Sequence, residues 1–386
     1  MNKIYLDNAA TGPISHMAKT AALSALENFA NPSAMHGMGI DAEKDLQKAR
    51  EIVARSIGAQ PAEIIFTSGG TESNNMAILG AVKLRGNMAA ATTKAEHPSV
   101  LHPFEKLAEN GFMLKYINLL NTSGLVDMQS LKQILSEDNP VALISIHHIQ
   151  NETGVMQDIA AIGKLIKETS PKTLFHVDAV QSFCKIPINV NTMNIDLLSV
   201  SAHKIGGLKG SGALFVKKGV HLRPIILGAG QETGLRGGTE NTSGIAAFAA
   251  ASGEHQPAIA DNYKYAAALK ERFLLNLNKL SGIYVNGENT SPYILNLSVK
   301  DIRPEVLLNA LSAEGVYISA GSACSSSKAQ KRKESLTFKE YALPQERAET
   351  AVRISFSINN TIEEIDAAAA IFIQNADKLR SVRRVK

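Results

Sequence analysis

The stretch "FTSGGTESNN" has the residue types and spacing of a phosphate-binding turn. A strand-like run ends at Thr67, two glycines that include Gly70 follow, and a helix is predicted to begin near Thr71. The first turn of a helix offers unpaired backbone N–H groups and the positive end of the helix dipole, which together favour a phosphate. The motif is neither a G-x-G-x-x-G dinucleotide fingerprint nor a P-loop. Taken alone, it is equally consistent with an ordinary strand-to-helix turn.

Two further motifs place a carboxylate and a lysine directly after strand-like runs. In "HVDAVQ", Asp178 ends such a run and Gln181 follows three residues later. An acidic residue there is commonly a cap, but it can also keep a ring nitrogen protonated. In "SAHKIGGLKGSGALF", Lys204 stands between a strand-like run and a glycine-rich turn. A lone lysine is usually a solvated charge, whereas desolvation at a strand end lowers a lysine pKa, as Schiff-base chemistry requires.

The three motifs become informative in combination. Ser201 and His203, next to Lys204, carry side chains that can donate to a phosphate. A phosphate turn, a carboxylate for a ring nitrogen and a Schiff-base lysine are the parts that hold pyridoxal phosphate. We therefore predict a pyridoxal-phosphate site and no metal site.

The elements that must position these residues alternate between strand and helix from about residue 60 to 220. Such alternation predicts βαβ units in a mainly parallel sheet, with ligand sites at the carboxyl ends of its strands. A long helical stretch is expected from about Asn241 to Leu280, and a different rhythm follows it. We predict an α/β fold with a large domain at residues 13–250 and a smaller α+β domain formed by residues 1–12 with 251–386.

Composition excludes several classes of protein. The chain has 386 residues and a formal net charge of +4, without a basic stripe interleaved with aromatics, so no nucleic acid partner is expected. No run approaches the roughly 20 apolar residues of a membrane span, and no apolar signal segment opens the chain. Two cysteines in 386 residues are typical of a reducing compartment. A soluble cytoplasmic protein is predicted.

The two cysteines differ in their surroundings. Cys184 follows a strand-like run and is predicted to be buried, which makes a disulfide between the two improbable. Cys324 lies in "GSACSSSKAQKRK", with almost no apolar residue to pack against. A structural cysteine behaves as a small hydrophobe, so this setting indicates a thiol with a chemical task.

From end to end, the sequence resembles the cysteine desulfurases of the class V aminotransferase family. The resemblance rests on motifs in matching order: "YLDNAAT", "NPSAMHG", "FTSGGTESNN", "EHPSV", "NETG", "HVDAVQ", "SAHK", "GQETGLRGGTEN", "GSACSS" and "VRISFS". It implies a two-domain fold of the aspartate-aminotransferase type and a homodimer with active sites at the subunit interface. Because a long segment separates Cys324 from Arg353, the chain is similar to the long-loop branch of the family.

The resemblance also assigns roles to residues of this chain. Lys204 would form the Schiff base, Asp178 would pair with the ring nitrogen, Gln181 would bond the ring hydroxyl and His97 would stack on the ring. The phosphate would be held near Gly70 by Thr71, Ser201 and His203, with Thr239 contributed by the partner subunit. Asn151 and Arg353 would bind the carboxylate of L-cysteine, and Cys324 would accept its sulfur before passing it to a scaffold or carrier protein. The sulfur would then serve iron–sulfur clusters, thio-cofactors or tRNA thiolation.

Other interpretations remain open at this point. His97 can be a loop histidine, and Arg353 can lie on the polar face of a half-buried strand. The tandem His147 and His148 have no predicted role. A selenocysteine lyase or another class V enzyme would use the same cofactor, although transamination does not need Cys324. A non-catalytic scaffold that binds iron–sulfur assembly partners is disfavoured because Lys204, Asp178 and Cys324 are all present.

Overall fold

The computed structural model describes residues 3–81, 88–321 and 335–384. The strands of these residues are β1 Ile4–Tyr5, β2 Ile64–Thr67, β3 Ala89–Thr92, β4 Met113–Tyr116, β5 Val141–His147, β6 Leu174–Asp178, β7 Leu197–Ser201, β8 Gly212–Val216, β9 Ile283–Val285, β10 Ile294–Val299, β11 Val316–Tyr317, β12 Ser319–Ala320 and β13 Ala351–Ser355. The helices are α1 His16–Glu27, α2 Gly37–Arg55, α3 Gly70–Ala81, α4 Pro98–Glu109, α5 Met128–Leu135, α6 Ile159–Thr169, α7 Thr242–His255, α8 Ile259–Leu277, α9 Pro304–Ala313, α10 Leu336–Glu340, α11 Gln345–Ala348 and α12 Ile362–Arg384.

The largest sheet in the described chain has seven strands in the order β2-β8-β7-β6-β5-β3-β4. Only β8 runs antiparallel to its neighbours, and the remaining pairs are parallel. Strands β6 and β7 are almost entirely buried, as expected for a sheet covered on both faces. Their carboxyl ends deliver Asp178 and Ser201 to one edge. The predicted α/β class with a mainly parallel sheet is confirmed.

A second sheet lies in the C-terminal part of the described chain, with strand order β12-β13-β10-β9. All of its pairs are antiparallel. Its apolar cluster joins Ile4 and Leu6 of the N-terminal segment to side chains of α8, α9 and α12. This cluster is distinct from the one around the large sheet. The domain limits at residues 12 and 250 stay a prediction.

The N-terminal segment connects the two sheets. The N–H of Leu6 donates to the carbonyl of Tyr317, and the N–H of Ser355 donates to the carbonyl of Leu6. Further along, Gly12 N–H donates to His203 O at 3.0 Å and Ser15 N–H to Gly206 O at 2.8 Å. Residues 6–15 therefore run from the small sheet to the turn that follows β7.

The helical stretch expected from Asn241 to Leu280 is two helices. A 3-10 turn at Gln256–Ala258 separates α7 from α8. Pro257 lies inside this turn, and a proline removes a helical N–H donor and crowds the preceding turn.

Among the described residues, no helix combines the length and apolar character needed to cross a membrane.

Candidate active site

Lys204 lies in a single 3-10 turn, Ala202–Lys204, directly after β7. Its Nζ donates to the carbonyl oxygens of Ala9 at 2.6 Å and Ala10 at 2.8 Å. The turn is tight enough that a Cβ at Gly207 would lie 2.8 Å from the Ala202 Cβ. The amine is thus aimed at the N-terminal segment, on the strand-end side of the sheet where the sequence predicted it.

Asp178, at the end of β6, is 7% exposed and accepts at both carboxylate oxygens. Its Oδ2 accepts from Asn74 Nδ2 at 2.8 Å, and its Oδ1 accepts from the backbone N–H of Val180 at 3.0 Å. Asn74 is a fully buried residue of α3. A carboxylate fixed in this way is suited to face a cationic ring nitrogen, since a buried charge needs hydrogen-bonded partners.

His97 caps the N-terminus of α4 with its own side chain. Nδ1 accepts from the backbone N–H of Ser99 at 3.1 Å and lies 2.7 Å from Ser99 Oγ. Burial lowers the pKa of His97, and the nearby Lys204 charge lowers it further, while the carboxylate of Asp178 opposes both. A neutral imidazole close to Lys204 and Asp178 is compatible with the predicted stacking role.

The predicted phosphate turn is built as a cradle. α3 begins at Gly70, and a Cβ there would lie 2.5 Å from Val180 Cγ2. Gly69 has φ +148, and a Cβ at this residue would lie 3.6 Å from Ser201 Oγ. A side chain at Gly70 would therefore clash with Val180, and the positive φ of Gly69 favours glycine at that position. The exposed Thr71 stands in the first turn of α3, where an anion meets the helix N-terminus.

His203 and Gln181 meet the N-terminal segment. His203 Nδ1 lies 3.1 Å from Thr11 Oγ1, and burial together with the Lys204 charge lowers the pKa of His203 to about 4. Gln181 Nε2 donates to Ala9 O at 2.9 Å, so it shares that carbonyl with Lys204. Gln181 Oε1 is buried and has no hydrogen-bond partner among the described residues. A polar ring substituent could satisfy it, so the residues present fit the predicted cofactor.

Arg353 is a buried residue of β13, 2% exposed. NH1 donates to the backbone carbonyl of Asn151 at 2.8 Å, and NH2 donates to Asp7 Oδ1 at 2.8 Å. Its Nε is buried without a hydrogen-bond partner in the described part of the chain. β13 is buried at every position, so the interpretation of Arg353 as the polar face of a half-buried strand is wrong. Instead, a buried guanidinium retains an unused donor that can receive a carboxylate.

Two predicted residues are not placed at this cluster. Thr239 is exposed, and no hydrogen bond of the described residues links it to the cluster. Its segment is fixed by a buried bidentate pair between Arg50 and Glu232, at 2.7 and 2.8 Å. Cys324 lies outside the described residues, as does the long segment predicted around it.

The other cysteine is buried and unreactive by environment. Cys184 is 3% exposed, and burial raises the pKa of its thiol to about 12. A thiol that stays protonated is a poor nucleophile, because the thiolate is the reactive form. Its predicted burial is confirmed.

Several residues of the cluster had no role in the sequence-based prediction. Asn74 and Ser99 stand inside the quoted motifs "FTSGGTESNN" and "EHPSV", and Asp7 stands in "YLDNAAT". His147, which had no predicted role, forms a hydrogen bond with Glu96: its Nδ1 lies 2.8 Å from Glu96 Oε1. Lys185 is a second lysine close to Lys204, and burial lowers its pKa to about 7. The described residues contain no group of three or more His, Cys, Asp or Glu placed to hold a metal ion.

The sheet order and the cluster at its strand ends define an α/β enzyme with a lysine-centred site. The profile of the Aminotransferase class-V family matches residues 4–368, and the chain belongs to this family. The family implies pyridoxal phosphate as cofactor.

Individual relatives and solved structures are cysteine desulfurases or similar proteins. The chain is 38% identical over 391 residues to the cysteine desulfurase IscS of Dictyoglomus turgidum, covering 100% of this chain and 97% of that protein. A solved NifS-like protein superposes with a TM-score of 0.90 at 32% identity, covering 98% of this chain and 100% of the other. A structure of SspA in complex with cysteine superposes with a TM-score of 0.80 at 33% identity, covering 93% and 100%. The predicted resemblance to cysteine desulfurases is confirmed.

Proposed function

We propose that this protein is a pyridoxal-phosphate-dependent cysteine desulfurase that converts L-cysteine to L-alanine and takes up the sulfur as a persulfide on Cys324. The observation that carries the proposal is the arrangement around Lys204, whose amine and the Gln181 amide meet on one carbonyl of the N-terminal segment. The charges of Asp178 and Lys204 both act on the His97 imidazole, so the three side chains lie close together. The full-length similarity to cysteine desulfurases supports the same activity.

The cofactor contacts follow from the side chains around this cluster. The Asp178 carboxylate would pair with the ring nitrogen, Gln181 would bond the ring hydroxyl, and His97 would stack on the ring. The first turn of α3 at Gly70 and Thr71, with Ser201 and His203, would hold the phosphate. When bound, pyridoxal phosphate supplies an electron sink that stabilises negative charge at the α-carbon of the substrate.

The substrate is oriented by its carboxylate. Arg353 is held by Asp7 and the Asn151 carbonyl, and its Nε remains available. A guanidinium binds a carboxylate through two parallel N–H donors, so Nε and NH2 are the matching pair. The Asn151 side chain completes the carboxylate site. In this proposal the Lys204 amine moves the proton of the α-carbon of cysteine.

The chain's own thiol completes the reaction. The Cys324 thiolate attacks the sulfur of the substrate, so an S–S bond forms and the C–S bond of the substrate breaks. The carbon fragment takes up protons and leaves as alanine. The net change is L-cysteine plus enzyme thiol to L-alanine plus enzyme persulfide, with no external oxidant or reductant. A reducing cytoplasmic setting keeps Cys324 a thiol between turnovers.

A homodimer is part of the proposal. α1 and the segment after it carry large apolar side chains with high exposure, among them Leu26 at 60%, Phe29 at 81% and Met35 at 95%. Several large apolar side chains exposed within one short stretch of the chain favour an interaction site. A second copy covering it would also bring its own Thr239 to the phosphate. The dimer would then hand its persulfide sulfur to an acceptor protein that serves iron–sulfur clusters, thio-cofactors or tRNA thiolation.

The activity is tested by incubating the protein with pyridoxal phosphate and L-cysteine, then quantifying alanine and protein-bound persulfide. Two matched variants, Cys324→Ala and Cys184→Ala, remove one thiol each. We expect Cys324→Ala to lose the persulfide and multiple turnover, and Cys184→Ala to retain both.

Two results would contradict the proposal. Equal persulfide in wild type and Cys324→Ala would remove Cys324 as the acceptor. No alanine from the wild-type protein, with release of selenide from selenocysteine, would indicate a selenocysteine lyase.

A further inference from the structure

A continuous chain of hydrogen bonds joins Asp178 to His97 through two residues. Asn74 Nδ2 lies 2.8 Å from Asp178 Oδ2 and 2.8 Å from Ser99 Oγ. Ser99 Oγ then lies 2.7 Å from His97 Nδ1. Asn74 and Ser99 are both buried, at 0% and 9% exposure, so water does not compete for these contacts.

The direction of each hydrogen bond follows from the donors and acceptors available. A carboxylate only accepts, so the NH2 group of Asn74 must face Asp178. The other N–H of the same group points at Ser99 Oγ, which therefore accepts. Reversing the amide would place Asn74 Oδ1 against a carboxylate oxygen. Asn74 Oδ1 is buried and lacks a hydrogen-bond partner among the described residues. The hydrogen bonds of Asn74 to Asp178 and Ser99 are therefore both made by its NH2 group.

Ser99 then directs both of its protons to His97. Because its hydroxyl oxygen accepts from Asn74, its hydroxyl proton is free to donate to His97 Nδ1. The backbone N–H of Ser99 donates to the same nitrogen at 3.1 Å. A nitrogen that accepts two donors cannot carry a proton itself. In a neutral imidazole the proton is then on Nε2.

We propose that Asn74 and Ser99 are positioning residues that fix His97 as the tautomer protonated at Nε2, with the Asp178 carboxylate as the anchor of the chain. The tautomer follows from the hydrogen bonds alone. Its consequence rests on the proposed function: His97 presents an N–H group at Nε2, and not a lone pair, to the site. Protonation of Nδ1 would require both donors of Ser99 to turn away. The charge on Asp178 and the proton on His97 are therefore linked through Asn74.

The charged groups around His97 come from four places. Asp178 lies on β6, Lys204 follows β7, Glu96 precedes His97 in the chain, and His102 lies on α4. Burial and the positive groups favour the neutral ring, whereas the two carboxylates oppose them. The network adds a geometric reason why the neutral ring has a single tautomer.

The test is 15N NMR of the full chain labelled at histidine, recorded first without cofactor and then with pyridoxal phosphate bound. The difference spectrum with His97→Gln identifies the His97 resonances. We expect the wild-type pair of shifts to be that of an imidazole protonated at Nε2. His36 is an internal reference, because its Nδ1 caps α2 by accepting from the backbone N–H of Gly39 at 3.3 Å.

Three variants change the network in steps. Asn74→Asp removes the donor between Asp178 and Ser99 and lets the Ser99 hydroxyl turn to the new carboxylate. We expect the His97 titration midpoint to rise by about one pH unit. Ser99→Ala removes the hydroxyl donor but keeps the backbone N–H, so a smaller rise is expected. Ser99→Thr restores the hydroxyl and should restore the wild-type midpoint.

Asn375→Asp is the matched control. Asn375 is also a buried helical asparagine whose Nδ2 donates to a carboxylate, Glu314 Oε1, at 2.8 Å. We expect it to change stability without moving the His97 resonances.

An Nδ1-protonated His97 in the wild type would overturn the proposal. So would an unchanged titration midpoint in folded Asn74→Asp or, if that variant does not fold, in Ser99→Ala. These readouts need no turnover, so a protein without desulfurase activity can still show the tautomer. Conversely, an active desulfurase can fail to show it.

Discussion

Two parts of the candidate site differ in how their side chains are held. Around the proposed ring position, here called the ring side, Asp178, Asn74, Ser99 and His97 form one connected network. At the proposed position of the substrate carboxylate, here called the carboxylate side, Arg353 is held by Asp7 and by the carbonyl of Asn151. On the ring side, each residue is fixed by its neighbour through bonds of 2.7–2.8 Å. On the carboxylate side, Arg353 already binds a carboxylate, that of Asp7, and its Nε remains unpartnered among the described residues. This difference matches the proposed roles, a resident cofactor beside the Asp178 network and a substrate carboxylate that binds to Arg353 and leaves again.

The largest effect is expected from Asp178→Asn on the ring side. The change removes the charge that is proposed to pair with the ring nitrogen, and it removes the carboxylate oxygen that accepts from Asn74. Loss of such a preorganised partner costs on the order of 10²–10³-fold in kcat. Steady-state alanine formation at saturating pyridoxal phosphate measures it.

Asp196→Asn is the control for this variant. Asp196 is a buried carboxylate next to the amino end of β7 and accepts from the backbone N–H of Phe175 at 2.9 Å. It should affect stability and leave kcat within a few-fold of wild type. A fall of less than tenfold in Asp178→Asn would mean that the ring side does not depend on this charge.

A smaller effect with a different kinetic signature is expected from Arg353→Lys. The lysine keeps the positive charge but cannot form the bidentate hydrogen bonds that a guanidinium makes with a carboxylate. Hydrogen bonds to charged groups contribute about 1.5–3 kcal/mol, so KM for L-cysteine should rise on the order of 10- to 100-fold. The absorbance of the bound cofactor should stay unchanged. A change in that absorbance without a change in KM would place Arg353 on the ring side.

Asp7→Asn should shift KM in the opposite direction. The neutral amide competes less strongly than a carboxylate for Arg353, so the substrate binds more easily. We expect KM to fall by about threefold, with a loss of roughly 1 kcal/mol in the free energy of unfolding. Denaturant melts and steady-state kinetics on one preparation measure both. A rise in KM would show that Asp7 orients Arg353 for the substrate and does not compete with it.

Glu152, beside Asn151, gives the last prediction, a pH dependence of stability. Burial raises the pKa of Glu152 from 4.5 to about 7, while the hydrogen bond from Ser335 at 2.8 Å opposes the rise. Because the folded pKa exceeds the unfolded one, the contribution to stability is complete below pH 4.5 and is lost as the pH rises to about 7. Glu152→Gln should flatten the stability profile between these values. An unchanged profile would assign the slope to another group.

The sequence was sufficient to predict the positions that follow directly from strand ends. Lys204 and Asp178 end strands in a pattern of alternating elements, so their placement at one edge followed from the fold class. Asn74 was missed because its partners, Ser99 and Asp178, are 25 and 104 residues away. Asp7 was missed for the same reason, since its contact with Arg353 spans 346 residues. Contacts between distant segments depend on packing that local patterns do not encode.

The most direct test of the site is to identify the lysine that carries the cofactor. The wild-type protein is loaded with pyridoxal phosphate, reduced with borohydride, digested and analysed by mass spectrometry. Lys185 is the natural competitor, because it lines the same cavity as Lys204 and burial lowers its pKa to about 7. We expect the pyridoxyl group on the peptide that contains Lys204. Modification of Lys185, with Lys204 unmodified, would contradict it.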